Sequence, residues 1–459
     1  MLEMNHKMTA TAKRILVVGL GKTGLSVVRY LDQQDVDLAV TDTRARPSGL
    51  PGFEPYVSRV AAFLNGFDQQ AFASADEIIV SPGVSLAEPL LVQARQEGIP
   101  IYGDIELFIR NAQAPIIAIT GSNGKSTVTS MLAVMGRQAG RQILAGGNLG
   151  TPALELLSEP VPDFYVLELS SFQLESTPSL NACAAVVLNI SADHMDRYDS
   201  LGDYADIKER IYQGDGVQVI NDDDIRVVAM AACAQPGRKH LHFTMATPAD
   251  KNTFGLLNAA GEDWLAQGQH ALMPVTELRV RGRHNVANAL AALALGSAAG
   301  FTEQAMLQAL RKFPGLPHRS QYVATINQVD WYNDSKGTNP GATKAAIEGM
   351  PGSVVLIAGG ESKGADFSSL REVASKKLHA AVLIGRDAAV LADALQDVTQ
   401  VVFAENMEQA VVMAAELARA GDDVLLSPAC ASFDMYQDYQ QRGDDFVECV
   451  RALQQEFKP

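Results

Sequence analysis

The sequence predicts an α/β protein with mostly parallel sheets, divided into two or three domains. Three observations carry this. The chain has 459 residues, more than one hydrophobic core usually supports. Short apolar runs rich in β-branched residues alternate with stretches of helical periodicity, the pattern of parallel strands covered on both faces. Two glycine-punctuated loops, Gly19–Gly24 and Gly121–Thr127, each follow such a strand and precede a helix, where phosphate groups are held. In sheets of this kind functional loops gather beyond the strand C-termini.

Composition narrows the class. Apolar residues make up 47% and charged residues 20%, as in an ordinary globular protein. A formal charge of −16 argues against nucleic acid as a partner, and any phosphate site must then concentrate cations locally. Cys183, Cys233, Cys430 and Cys449 show neither metal-ligand nor Cys-x-x-Cys spacing, so reduced thiols are expected. The first fourteen residues lack a signal-peptide apolar region. The alanine-rich run Val286–Ala299 is broken by Asn288 and Gly296 and is too short to span a bilayer. A cytoplasmic protein without membrane insertion is expected, and a monomer is the preferred state.

Residues 1–103 form the first expected unit. Ile15–Val18 reads as a strand, followed by Gly19-x-Gly21-x-x-Gly24 and a helix through Leu25–Leu31. A second strand, Leu38–Thr41, ends at Asp42, about twenty residues on, where an acid can hold a ribose hydroxyl. Glu77–Val80 is a further strand, ending in Ser81-Pro82-Gly83. The block is short for a full dinucleotide domain, so a Rossmann-like unit binding a nucleotide diphosphate is expected.

Residues 104–315 hold the second loop. Ile116–Thr120 is an apolar strand, and Gly121, Ser122, Asn123, Gly124, Lys125, Ser126 and Thr127 follow it. Val128, Met131, Leu132 and Met135 then recur at helical spacing, with Gly140 as a stop. Such a loop cradles polyphosphate on backbone N–H groups. Its Lys reaches the β/γ oxygens and its Ser hydroxyl holds Mg²⁺. The spacing is shorter than the usual pattern, because Ile119 stands where the first glycine would be. A merely structural turn would need neither the Lys nor the paired hydroxyls, so a nucleoside triphosphate is expected.

Other residues of this unit leave alternatives open. Glu168, at the end of the strand Tyr165–Leu169, reads as a Mg²⁺ ligand or as a capping, ion-paired acid. His194 follows the strand Ala184–Leu188 between Asp193 and Asp196, where a lone His is most often solvated. Lys208, on the helix Tyr204–Tyr212, would ordinarily face solvent, and Asn285 and Asn288 read as helix caps or as ligand contacts.

From residue 316 to 459 the β–α alternation restarts, with strands near Val329–Tyr332, Val354–Ala358, Ala381–Ile384, Val401–Phe403 and Val424–Leu426. Lys336 and Lys363 each lie in a loop after a strand, the second among three glycines that allow close backbone approach. They read as an anion site or as surface charges on tight turns.

Seven blocks then occur in a family order: Thr120-Gly-Ser-Asn-Gly-Lys-Ser-Thr127, Glu168-Leu-Ser-Ser-Phe-Gln-Leu174, Asp193-His-Met-Asp196, Gly282-Arg-His-Asn285, Leu316-Pro-His-Arg319, Asn333-Asp-Ser-Lys336 and Leu426-Ser-Pro-Ala-Cys-Ala-Ser432. Over nearly its whole length the chain resembles the Mur ligases, and most of all the member that adds D-glutamate to UDP-N-acetylmuramoyl-L-alanine. The resemblance implies three domains: a Rossmann-like one for the UDP-sugar, a central P-loop ATPase-like one, and a C-terminal Rossmann-like one for the amino acid. It implies Lys125 on the β/γ phosphates, Ser126 and Glu168 on one Mg²⁺ and His194 on a second. Lys208 matches a lysine carbamylated by CO₂ that supports Mg²⁺. Asn285, Asn288, Arg319 and Asp334 would contact ATP. Lys336, Thr338, Lys363, Ser432, Phe433 and Tyr439 would surround D-glutamate, with Tyr439 a departure from Phe. Thr23, Thr43, Arg44, Ser81 and Gly83 would hold the UDP part, and Asn148 and Gln173 the muramoyl-alanine part.

Three rival readings remain at this stage. The first glycine loop with Asp42 fits a nicotinamide-dependent oxidoreductase, though it leaves everything after Gly103 unexplained. Another ATP-dependent amide ligase of the same superfamily is the second. A phosphate-loop regulatory protein without turnover is the third.

Overall fold

The computed structural model describes residues 12–148, 150–195, 197–232, 237–259, 261–280 and 282–456. Cys233, Asp196 and the first eleven residues lie outside the described residues. Three sheets follow one another along the chain. The first holds β1 (Lys13–Val18), β2 (Val36–Asp42), β3 (Ala61–Leu64), β4 (Glu77–Val80) and β5 (Ile101–Gly103) in the order β3-β2-β1-β4-β5, all parallel. Switching direction at β1 opens a crevice beyond its C-terminus, where Gly19 takes a φ of +93° that permits the tight turn.

The second sheet has nine strands. Its strands are β6 (Ile116–Thr120), β7 (Ile143–Gly147), β8 (Phe164–Glu168), β9 (Ala184–Val187), β10 (Val217–Asn221), β11 (His240–Phe243), β12 (Thr253–Ala259), β13 (Glu262–Gln267) and β14 (His270–Pro274). They run in the order β14-β13-β12-β11-β10-β9-β6-β8-β7. β6, β8 and β9 are buried over nearly every residue, as parallel central strands must be. The edge from β12 to β14 is antiparallel, turning at Gly261 and Gly268 with positive φ.

The third sheet holds β15 (Gln321–Ile326), β16 (Val329–Asn333), β17 (Val354–Gly359), β18 (Leu378–Ile384), β19 (Gln400–Phe403) and β20 (Asp423–Leu426) in the order β15-β16-β20-β17-β18-β19. Only the β15–β16 pair among the described strands of this sheet is antiparallel.

The cores are not three separate bodies. One cluster runs from the first sheet (Val17, Val40) and its helix Lys22–Leu31 (Val28) through Tyr102, Ile105 and Phe108 to the central sheet (Ala118, Tyr165, Leu167). The other face of the central sheet packs against the helices Lys125–Gln138 and Arg283–Ala298. The two clusters of the third sheet draw only on residues beyond 320. Hydrophobic burial therefore welds the first two units together, whereas of the third unit only Leu316, at its start, packs against either cluster, and the contacts described below are polar or backbone.

Candidate active site

The phosphate loop is built by conformations that glycine allows. Gly121 has φ +146° and Gly124 φ +87°, and a Cβ at Gly124 would stand 2.4 Å from Asn288 Oδ1. Asn189 fixes the loop from β9's end: its carbonyl accepts from Ser122 N at 2.9 Å and its Oδ1 from Asn123 N at 2.9 Å. The helix Lys125–Gln138 starts at Gly124 with no side-chain cap, so its first N–H groups face outward for an anion. Lys125 folds back, Nζ donating to the Gly121 and Ser122 carbonyls at 2.8 Å each, and burial pushes its pKa down.

Beside this loop β8 delivers Glu168, 2% exposed. Its Oε1 accepts from Asn148 Nδ2 at 2.6 Å, and its Oε2 is buried with no partner. A buried, half-satisfied carboxylate that shares a cavity with a Ser hydroxyl of a phosphate loop suits a hard divalent cation such as Mg²⁺. Among the described residues no group of three or more His, Cys, Asp or Glu could hold a metal by itself. A metal here would draw further ligands from phosphate and water, as Mg²⁺ habitually does. Ser126 Oγ meanwhile accepts from Arg319 Nη2 at 2.6 Å.

Lys208 is 1% exposed, not the solvent-facing charge its helix position suggests. Its Nζ donates to Thr120 Oγ1 at 3.2 Å and the Gly121 carbonyl at 3.0 Å, and lies 4.6 Å from the Tyr204 ring centroid. Burial first, and the charge of Lys125 second, push its pKa well down, against the pull of Asp193 and Glu168. His194 has φ +57°, and its ring lies 4.8 Å from that of Phe172. Asn285 and Asn288 are 6% and 8% exposed, and the helix they occupy starts at Gly282 without a side-chain cap, which removes the capping alternative. Asn288 Nδ2 donates to Asn285 Oδ1 at 3.2 Å.

The third unit closes the site. Asp334 accepts from Ser320 N at 3.0 Å and Ser427 Oγ at 2.7 Å, and burial pushes it up to about 6. Lys336 Nζ lies 4.3 Å from the Tyr439 ring centroid and is pushed down to about 8 by burial. Lys363, at φ +51°, places Nζ 5.1 Å from the Phe433 ring centroid.

Two cavities meet here. One of about 760 Å³ is lined by Thr23, Thr43, Arg44, Ser81, Gly83, Asn148 and Gln173 at one end and by Ser126, Glu168, Arg319, Lys336 and Tyr439 at the other. The second, about 310 Å³, is lined by Asn123, Gly124, Thr127, Asn285, Asn288 and Asp334, and shares Arg319 and Lys336 with the first. Gly121, Ser122 and Lys125 of the phosphate loop, and Lys208 packed against it, line neither cavity. His194, Thr338, Lys363, Ser432 and Phe433 line neither cavity, and Phe433 is 62% exposed while Ser432 is 3%.

Asp42 is also held by its own turn. Its carboxylate accepts from Leu20 N, Arg44 N, Arg44 Nε and Arg44 Nη2 at 2.7 to 2.9 Å, and it is 2% exposed. Asp42 lines the large cavity, and its carboxylate is engaged there by the turn and by Arg44. Reading the sequence also missed Lys22 and Gln440 on the large cavity and His284 on the small one. His284 stood in a quoted block and Lys22 in the glycine loop; Gln440 carried no signal.

Known proteins with this arrangement make the kinship plain. Residues 13–103 match the Mur ligase MurD-like N-terminal domain, 119–296 the Mur ligase middle domain, and 318–430 the Mur ligase glutamate ligase domain. The chain is 54% identical over 440 residues to the UDP-N-acetylmuramoylalanine--D-glutamate ligase of Nitrosococcus oceani, covering 95% of this chain and 96% of that one. It is 51% identical to the protein of the same name from Methylobacillus flagellatus, covering 96% and 97%. Among solved structures, MurF from Acinetobacter baumannii superposes with a TM-score of 0.61 at 17% identity, over 96% of this chain and 95% of that one. The UDP-N-acetylmuramate-alanine ligase MurC from Thermotoga maritima gives 0.60 at 18%, over 96% and 99%. At such identity these two speak for the fold alone. By domain matches and by relatives covering nearly its whole length, the chain belongs to the Mur ligase family.

Proposed function

We propose that this chain is the ATP-dependent ligase that joins D-glutamate to UDP-N-acetylmuramoyl-L-alanine, releasing ADP and phosphate, in the synthesis of the peptidoglycan precursor. The observation that carries this is the pair of cavities meeting at Arg319 and Lys336, one from the first unit's glycine loop, the other from the phosphate loop. Relatives named for this reaction, at 48 to 54% identity, support the choice of D-glutamate. The sheets break near the boundaries 1–103, 104–315 and 316–459, which supports assigning UDP-sugar, ATP and amino acid to them in turn.

A free carboxylate does not form an amide at neutral pH without activation. The γ-phosphoryl of ATP passes to an oxygen of the substrate carboxylate, and ADP leaves from the other side of phosphorus. The amine of D-glutamate then attacks the acyl carbon, and phosphate departs carrying that carboxylate oxygen. Positioning and charge neutralisation are what phosphoryl transfer demands. Lys125 and the loop N–H groups hold the β/γ phosphates, Asn285, Asn288 and Asp334 the nucleoside, and Arg319 the phosphates from the third unit. Thr23, Thr43, Arg44, Ser81 and Gly83 hold UDP, and Asn148 and Gln173 the acceptor end beside Glu168. Lys336, Thr338, Lys363, Ser432, Phe433 and Tyr439 receive D-glutamate.

Mg²⁺, when bound, neutralises charge on the transferring phosphoryl oxygens. Ser126 and Glu168 would hold one ion and His194 a second. Buried Lys208, whose pKa burial lowers toward the neutral amine that CO₂ requires, would carry a carbamate supporting them. A cytoplasmic monomer is the setting that fits soluble nucleotide substrates. Phosphate release from ATP, measured with UDP-N-acetylmuramoyl-L-alanine and a panel of amino acids, tests the assignment. Release is expected with D-glutamate and Mg²⁺; release with L-alanine, L-lysine or diaminopimelate instead would overturn it.

A further inference from the structure

The loops assigned to the amino acid converge on a buried cation that the reaction scheme leaves unused. Arg442 lies in the first turn of the helix Tyr439–Glu456 and is 1% exposed. Its Nε donates to Ser335 Oγ at 3.0 Å, its Nη2 to the Ser335 carbonyl at 2.8 Å and its Nη1 to the Cys430 carbonyl at 3.2 Å. Ser335 Oγ in turn donates to the Tyr439 carbonyl at 2.8 Å, so that hydroxyl is used in both directions. On a third side stands Gly360: a Cβ there would lie 3.3 Å from Arg442 Nη1 and 2.2 Å from the Ala431 carbonyl. Glu361 and Ala431 exchange backbone hydrogen bonds of 3.0 and 2.9 Å just beyond.

One guanidinium thus touches the loop bearing Lys336 and Thr338, the loop bearing Ser432 and the loop bearing Lys363. Its fixed fork of donors ties two backbone segments, at Ser335 and Cys430, at one spacing, with the third, at Gly360, packed close against it. The three hydrogen bonds go to neutral oxygens, and the carboxylates of Asp434 and Asp334 act on the charge only from further off. Burial pushes the guanidinium down to about 10, and it stays charged at neutral pH. A buried cation without an ion pair is costly, and a hydrophobic side chain would serve packing alone.

We propose that Arg442 is a positioning residue for the incoming amino acid, tying the Lys336 and Ser432 loops to each other and packing against Gly360 at the base of the Lys363 loop, so that the three keep the spacing a dicarboxylic substrate needs. This rests on the reading that those loops receive D-glutamate. Arg442 itself does not line either cavity, so its effect passes through the loops.

Steady-state kinetics on the full chain tests it with Arg442→Lys, Arg442→Met and Ser335→Ala. A lysine keeps the charge but cannot span three oxygens. Arg442→Lys is expected to raise the KM for D-glutamate about tenfold, the loss of roughly one charge-assisted hydrogen bond, while the KM values for ATP and the UDP-sugar move less than about twofold. Arg442→Met is expected to raise it further and Ser335→Ala less. A fall in kcat or melting temperature with the D-glutamate KM unchanged in Arg442→Lys and Ser335→Ala would overturn the proposal. Those two variants carry the test where Arg442→Met does not fold. A wild-type chain that used a different amino acid would overturn the D-glutamate reading alone, and the KM for that amino acid then carries the same comparison.

Discussion

At the scale of single residues, burial sets the chemistry. Lys208 sits between Thr120, Gly121 and the Tyr204 ring with its pKa well below that of a free lysine. If its carbamate supports the metal, Lys208→Ala is expected to lose about a hundredfold in kcat and to be partly rescued by formate or acetate. Full activity in that variant would exclude the role. Asp104, whose Oδ2 accepts from Gln173 Nε2 at 3.4 Å, offers a test read in stability rather than turnover. It is 2% exposed at the junction of the first two units, its Oδ1 is without a partner, and burial raises its pKa to about 6. A carboxyl raised in the folded state is neutral in both states at low pH, and must ionise in a buried place above its folded value. The folded chain therefore loses stability from this group as pH climbs from about 4 to about 6, by roughly 3 kcal/mol at most. Asp104→Asn is expected to melt higher than wild type at pH 7 and much closer to it at pH 4. An equal gap at both would contradict the assignment.

At the scale of elements, the loops do the work that their glycines permit. Gly124→Ala is expected to weaken ATP binding more than tenfold, because the new Cβ would collide with Asn288 Oδ1 at a φ that favours glycine; equilibrium titration with an ATP analogue checks it. The phosphate loop, its helix and the buried strands β1, β4, β6, β8 and β9 were legible in the sequence, since apolar β-branched runs bounded by glycine admit little else. β12 to β14 were not. Glu262-Asp-Trp-Leu-Ala-Gln267 mixes polarity along an edge where one face is solvated, and its alternation is weak. The structural role of Asp42 was not legible either: an acid at the end of the second strand can serve a ligand or the turn, and the four bonds it accepts from the turn and Arg44 appear only in the fold. Arg442 was invisible for a related reason: in the run Gln440-Gln441-Arg442-Gly443 it looks like any charge on a helix surface.

At the scale of the whole molecule, the contrast between the two junctions governs motion. The first and central units share a hydrophobic cluster. The third unit reaches the central one through Arg319 on Ser126 at 2.6 Å, Asn339 Nδ2 on Asn123 Oδ1 at 3.3 Å, and the close backbones of Gly282 and Gly349. Polar contacts of this kind break more readily than a core, so the third unit is the one expected to move. Solution scattering is expected to change between the free chain and the chain with an ATP analogue and product; superimposable profiles would count against closure. The central claim is that ATP activates the substrate carboxylate before D-glutamate attacks it. UDP-N-acetylmuramoyl-L-alanine carrying heavy oxygen in its alanine carboxylate, incubated with ATP, Mg²⁺ and D-glutamate, tests this most directly. The account requires one labelled oxygen in each released phosphate, with product heavier by one glutamate residue. Phosphate free of label, with product still formed, would contradict it.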